Sequence, residues 1–288
     1  MSPDQVTPGT PQPFGSRLAA TVAARGPLCV GIDPHRPLLL AWGLTDDVDG
    51  LRRFTDTVVE ALAGHVAVLK PQLAFYERHG ARGVAVLEEA VPRVRAAGAQ
   101  VLLDAKRGDI GSTMDAYAEY LRSDHPMQVD ALTVSPFLGA GSLQPAVDTA
   151  RREGGGLFVL ARTSNAEGGT VQQAVTPDGR TVAQQVVDAV GAWNRPDGAT
   201  DAWGDRLGSH GVVVGATLPE LDVDLDGLGG PVLAPGLGAQ GGSAADLRRL
   251  FGTGRAVVPT VSRDVLAAGP DPAALRAAAD RWATELGG

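Results

Sequence analysis

Eight short, nearly continuous apolar runs punctuate this chain, at residues 28–33, 66–70, 101–104, 129–134, 157–161, 211–215, 232–235 and 256–260. Alternating apolar and polar residues would mark strands with one wet face. Unbroken runs mark strands covered on both faces, as in a parallel sheet. Helical patterning fills the intervals, at 51–63, 82–97, 112–122, 142–153, 181–193, briefly at 219–221, then 243–251 and 271–286. An additional helix is expected at 16–25, ahead of the first run. Gly98 stands where a glycine just past a helix end belongs. Ser112, with Asp115 three residues on, reads as a capping box. The Gly/Pro-rich stretches 194–208 and 222–230 read as surface loops around the sixth unit. Eight strand–helix units in 288 residues, with no dividing linker, predict an α/β (β/α)8 TIM barrel with an extra N-terminal helix rather than a doubly wound sheet. Residues 1–13, rich in Pro, Thr and Gln, read as a disordered tail. Residues 14–288 are left as a single barrel domain.

Composition narrows the partners. A formal charge of -8 lacks the basic stripe of a nucleic-acid-binding protein. No apolar stretch approaches a membrane span, and the first residues carry neither the basic nor the apolar region of a signal peptide. A single cysteine, Cys29, fits a reducing, cytoplasmic compartment.

A barrel of this kind carries its active site on the C-terminal ends of its strands. There the sequence places Asp33, Lys70, Asp104-Ala105-Lys106-Arg107-Gly108-Asp109, Thr133-Val134-Ser135, Arg162-Thr163-Ser164-Asn165, Gly236–Gly242 and Ser262-Arg263. Lys70 and Lys106 are the only two lysines among 25 Lys and Arg residues, and both close apolar runs. Arginine cannot replace lysine where a compact ammonium must give up a proton. Asp104 and Lys106, two apart, point to one side of an extended chain. Flanked by Asp104 and Asp109, Lys106 would stay protonated, poised as a proton donor rather than a Schiff-base nucleophile. Asp33, Lys70, Asp104 and Lys106 then form an alternating chain of charges. The plainer alternatives are a strand-end salt bridge for the cluster and a turn before Pro34 for Asp33.

Gly236-Leu237-Gly238-Ala239-Gln240-Gly241 matches G-x-G-x-x-G, but in the seventh unit rather than the first, where a dinucleotide fold would carry it. After the seventh and eighth strands of a barrel, backbone N–H groups commonly bind phosphate. Gly241 and its neighbours, with Arg263, are therefore read as a phosphate site. The bland alternative is a glycine-rich turn beside an exposed Arg. No H-E-x-x-H, G-x-S-x-G, Walker loop or cysteine cluster is present, so neither a metal nor an organic cofactor is expected.

The segment Leu103-Asp104-Ala105-Lys106-Arg107-Gly108-Asp109-Ile110-Gly111-Ser112-Thr113 resembles the signature of the orotidine 5′-phosphate decarboxylases. Gly31-Ile32-Asp33-Pro34, Leu69-Lys70-Pro71, Thr133-Val134-Ser135-Pro136-Phe137-Leu138-Gly139, Thr163-Ser164-Asn165 and Pro235–Gly242 agree with it, and some of these resemble the longer bacterial subgroup. The resemblance implies a homodimeric barrel that converts orotidine 5′-phosphate (OMP) to UMP and CO2 in pyrimidine biosynthesis, without a cofactor. It implies Lys106 as proton donor to pyrimidine C6 and Asp104 beside the substrate carboxylate. Lys70 and Asp33 would bind the ribose and orient the charges. Asp109 and Thr113 would reach the ribose of the neighbouring subunit's substrate. Ser135 would bond the pyrimidine, Gln240 would bridge base and phosphate, and Arg263 would hold the phosphate. It assigns no role to Thr163 or Asn165.

The residues suit that reaction. Loss of CO2 from an sp2 carbon leaves a localised charge with no electron sink, so a fixed ammonium must stabilise it and deliver a proton. Two rivals stay open: a metal-dependent sugar-phosphate lyase on the same scaffold, and a non-catalytic phosphate-binding barrel.

Overall fold

A computed structural model of the chain describes residues 11–287. Its eight strands are β1 (Cys29–Ile32), β2 (Val68–Pro71), β3 (Gln100–Arg107), β4 (Ala131–Val134), β5 (Gly156–Arg162), β6 (His210–Val214), β7 (Val232–Pro235) and β8 (Val257–Val261). Each pairs in parallel with the next and β8 pairs with β1, closing the barrel. Every residue of β1, β2, β4 and β6 is buried, which is why these strands read as unbroken apolar runs.

The helices mostly start where the sequence offers a cap. Asp47 accepts from Gly50 N at 2.9 Å ahead of Val48–Leu62, and Thr181 accepts from Gln184 N at 3.1 Å ahead of Val182–Asn194. A full capping box forms at Ser243 and Asp246 before Ala244–Phe251. Gly98, at φ +90°, follows the helix Gly80–Ala96 as expected.

Two local expectations fail. No capping box forms at Ser112, because the helix starts one residue early, at Gly111 after Ile110, and puts Ser112 inside the first turn. That helix also stops at Ala118 and continues as a 3-10 turn, Glu119–Leu121. The helix expected at 219–221 does not form. Residues 215–231 instead run irregularly, burying Leu218, Val223, Leu225 and Leu228. Their backbone amides bond to side chains: Asp224 N to Gln184 Oε1 (2.7 Å), Asp226 N to Asp224 Oδ1 (2.8 Å) and Gly229 N to Asp201 Oδ1 (2.5 Å). Acceptors supplied this way compete with a helical ladder.

The extra N-terminal helix exists as α1 (Phe14–Arg25). Its Phe14, Leu18, Ala19 and Val22 join Cys29, Val68, Leu102, Phe158, Val213 and Val258 in a core cluster separate from the one between strands and outer helices. The helix closes the floor of the barrel, opposite the catalytic rim. Phe14 meets Phe158 edge-on at 6.0 Å, and Gly156 is a glycine because a Cβ there would lie 2.3 Å from the Phe14 ring. Arg17 fixes the helix to Asp130 (2.8 Å) and also holds Gln12 O (2.8 Å), a residue of the stretch 1–13 expected as a tail. Residues 1–10 of that expectation lie outside the described residues. Among the described residues no helix is long and apolar enough to cross a membrane.

His210 opens β6 fully buried, its ring edge-on to Trp193. Burial, helped by the charge of Arg151, lowers its pKa from 6.5 to about 3. The folded state therefore keeps His210 neutral while an unfolded chain binds a proton below pH 6.5. Stability from this group is complete above pH 6.5 and falls as pH drops toward 3, by up to about 1.4 kcal/mol per pH unit. Urea unfolding of wild type and His210→Phe between pH 7 and 4 checks this. The wild type should lose stability faster as pH falls, and parallel curves would refute the assignment.

Candidate active site

One cavity of about 260 Å³ opens at the C-terminal ends of the strands. Asp33, Lys70, Asp104, Lys106, Gln240 and Arg263 line it, all read as site residues from the sequence. Gln72, Thr133, Thr163, Thr260 and Ser262 line it too.

Asp104 is the hub. Its Oδ2 accepts from Lys70 Nζ at 2.8 Å and from Gln72 Nε2 at 3.1 Å. Its Oδ1 accepts from Lys106 Nζ at 2.5 Å and from the Thr133 hydroxyl at 2.9 Å. Burial alone would raise the carboxyl's pKa, but the ammonium groups of Lys70 and Lys106 outweigh it and hold Asp104 well below the usual carboxylate range. The same balance acts on Lys70: burial opposes its charge, and Asp104 and Asp33 more than restore it, keeping its pKa above the ordinary lysine value. The two lysines differ in access. The Lys70 side chain is 7% exposed and that of Lys106 46%. One ammonium is sealed beneath the carboxylate; the other faces the cavity.

Asp33 stands beside this cluster without bonding to it. Its Oδ1 is buried with no protein partner, while the residue itself lines the cavity. The alternating chain of charges is thus a contact chain through Lys70, Asp104 and Lys106, with Asp33 acting on Lys70 through its field.

Asp109 does not flank Lys106 in this chain. Among the described residues Lys106 pairs with Asp104 alone, while Asp109 Oδ1 accepts from Ile110 N at 2.8 Å. The backbone explains the divergence. Lys106 adopts φ +48°, and Gly108 passes so close to β4 that a Cβ would sit 2.3 Å from Ser135 O. Arg107 is drawn aside by an ion pair with Glu77 and by the Tyr117 ring. Thr113, on the helix that follows, is exposed and outside the cavity. Ser135 lies outside it as well, its N–H bonded to Arg107 O at 2.7 Å. Polar side chains from this side of the barrel do line the cavity: Thr133, and Thr163, held by Gln172 Nε2 (2.8 Å) and Asn165 Oδ1 (2.7 Å).

The glycine loop after β7 is not an open cradle. Gly238 N bonds to Gly242 O (2.9 Å), Gly241 N to Gly238 O (2.6 Å) and Gly242 N to Gly236 O (3.0 Å). Positive φ at Gly236, Gly238 and Gly241 lets the loop fold onto itself and turns the Gly241 amide inward. Gly236, Leu237, Ala239 and Gln240 of the loop line the cavity, as does Arg263 after β8.

Gln72 was findable by the spacing that marks Lys70, since residues two apart share a face of a strand. Thr133 and Thr163 gave no such signal, because nothing in a lone threonine says which way its hydroxyl bonds. Among the described residues no group of three His, Cys, Asp or Glu side chains is arranged to hold a metal ion.

The family model "Orotidine 5'-phosphate decarboxylase / HUMPS family" matches residues 26–278. The orotidine 5′-phosphate decarboxylase of Salinispora arenicola is 62% identical over 270 residues, 93% of this chain and 95% of that protein. The enzyme of the same name from Streptomyces coelicolor is 61% identical over 277 residues, 96% of this chain and 97% of that protein. The structure of the Leishmania donovani OMP decarboxylase superposes with a TM-score of 0.72 at 31% identity, covering 96% of this chain and 97% of that one. With a matching family model over most of its length and relatives this similar, the chain belongs to the orotidine 5′-phosphate decarboxylase / HUMPS family.

Proposed function

We propose that this chain decarboxylates orotidine 5′-phosphate to UMP and CO2 without metal or organic cofactor, as a cytoplasmic homodimer whose residues 14–288 act as one catalytic domain. The observation that carries this reading is the Asp104 carboxylate, fixed by four donors between a buried and an accessible ammonium.

In this reading the substrate carboxylate lies beside Asp104, over Lys106. The bond from C6 to the carboxylate breaks and CO2 leaves. The electron pair stays on C6, in the field of the Lys106 ammonium, and takes a proton from Nζ. Lys106 is then neutral and regains a proton from solvent. Lys70 and Asp104 stay charged throughout and hold the donor in place, so little reorganisation is needed as charge develops. The Asp33 carboxylate, which lines the cavity, accepts from a ribose hydroxyl. Arg263, with Gln240, grips the phosphate through its side chain, a role the Gly241 amide does not share in this conformation. Binding energy from that distant phosphate is available at the reacting carbon.

Asp109 and Thr113, outside their own cavity, complete the partner's site. Ile110, Phe137 and Leu138, on the loops after neighbouring β3 and β4, are 62%, 77% and 53% exposed, and a partner subunit would cover them.

The test is turnover of OMP by purified protein, followed as loss of the orotate chromophore before and after exhaustive EDTA treatment. Unchanged activity is expected. Activity lost with EDTA and restored by Mg2+ would sink the reading in favour of a metal-dependent lyase.

A further inference from the structure

Lys106 is the only non-glycine among the described residues with a positive φ. A side-chain-bearing residue persists in that left-handed conformation only where its surroundings impose it. Here the imposing group lies on the neighbouring strand. The register of β3 against β4 pairs Leu103 with Leu132 and then Arg107 with Val134. Asp104, Ala105 and Lys106 therefore all face the single residue Thr133. A bulge of this kind strands amide groups that would otherwise bond across the ladder. Thr133, 1% exposed, takes them up: its Oγ1 accepts from Ala105 N and from Lys106 N, both at 3.0 Å. The same hydroxyl donates its own hydrogen to Asp104 Oδ1 at 2.9 Å. Both lone pairs and the hydrogen are thus committed to three consecutive residues.

We propose that Thr133 is the positioning residue of the lysine assigned as proton donor: its hydroxyl locks the left-handed turn at Lys106 and seats Asp104 against the Lys106 ammonium. The kinetic part of this inference rests on the function proposed above; the structural part stands on the backbone alone. Valine has the same shape and β-branch but no oxygen. In its place two part-buried amides lose their partner at once, a costly state that the bulge relieves by relaxing. Relaxation moves the Lys106 ammonium off Asp104, and small displacements of a reacting group are expensive in rate. Substrate contacts from Arg263 and Asp33 come from other strand ends and are left in place.

Thr133→Val and Thr133→Ser separate the hydroxyl from the packing. In steady-state decarboxylation of OMP, the Val variant should lose roughly 100-fold in kcat, with KM and UMP affinity within about threefold of wild type. The Ser variant, which keeps the oxygen, should stay within about fivefold in kcat. A Val variant with near-normal kcat overturns the proposal, and so does a Ser variant that falls as far as Val. Amide hydrogen exchange on the wild type tests the lock without any variant. The Ala105 and Lys106 amides should be protected like those of Leu102 and Leu103, and free exchange of either refutes the lock. A wild type that leaves OMP untouched while both amides are protected removes the assigned reaction and leaves the lock standing.

Discussion

Lys106→Ala should lower the turnover of OMP by roughly four powers of ten or more, about 5 kcal/mol of transition-state stabilisation at 1.36 kcal/mol per tenfold. Lys106→Arg should recover almost none of it. Arginine keeps the charge but is a poor acid at any working pH, and its planar fork seeks a carboxylate with both oxygens open. Asp104 has neither. Lys70 and Gln72 occupy Oδ2, and Thr133 shares Oδ1 with the present lysine. A guanidinium must therefore displace these donors or stand in the cavity where substrate belongs. Pre-steady-state measurement of CO2 release in both variants checks this. Near-normal rates in the Arg variant would show that charge alone suffices and that the proton comes from elsewhere.

Mixing two inactive variants should restore activity. Asp109 follows Lys106 by three residues yet lies outside the cavity that Lys106 lines. If Asp109 serves the partner's site, a dimer of one Lys106→Ala chain and one Asp109→Ala chain holds one site with both residues and one with neither. When half the dimers are mixed, activity should reach about a quarter of wild type, by the reciprocity that two-fold symmetry imposes. Each parent alone should be inactive, down by several powers of ten. Subunit exchange is confirmed independently by mass-tagged chains. Exchange without recovery would mean that Asp109 acts within its own barrel or not at all.

The barrel was legible because its strands are covered on both faces, so the apolar runs needed no periodicity analysis to stand out. The gap between β6 and β7 was legible only in part. Its Gly/Pro-rich stretch 222–230 reads as the loop it is, held by bonds from Asp201, Asp224 and Gln184, but the short helix expected just before it, at 219–221, does not form. At the site, Asp33, Lys70, Asp104 and Lys106 were readable as polar residues ending apolar runs, Arg263 from its place after the eighth strand, and Gln240 from the family resemblance. Position on the chain failed where the backbone leaves regular geometry. The two-residue strand period that places Lys106 beside Asp104 cannot foresee the left-handed turn that carries Asp109 away. Glycine spacing likewise announces a tight loop but not whether its amides point outward or at one another.

The helix α1 has a consequence for how the protein is made. It precedes every strand of the barrel, yet several of its partners come late: Gly15 N bonds to Ser209 Oγ, and the Ser16 hydroxyl bonds to Asp205 O, 189 residues further on. Phe14 and Leu18 share their cluster with Cys29, Val68 and Leu102, but Phe158 and Val213 join it only with the fifth and sixth strands. Such distant closure is slow to form. A nascent chain thus carries this apolar helix only partly covered until those strands are made, and a chaperone that shields it should raise the yield of folded enzyme.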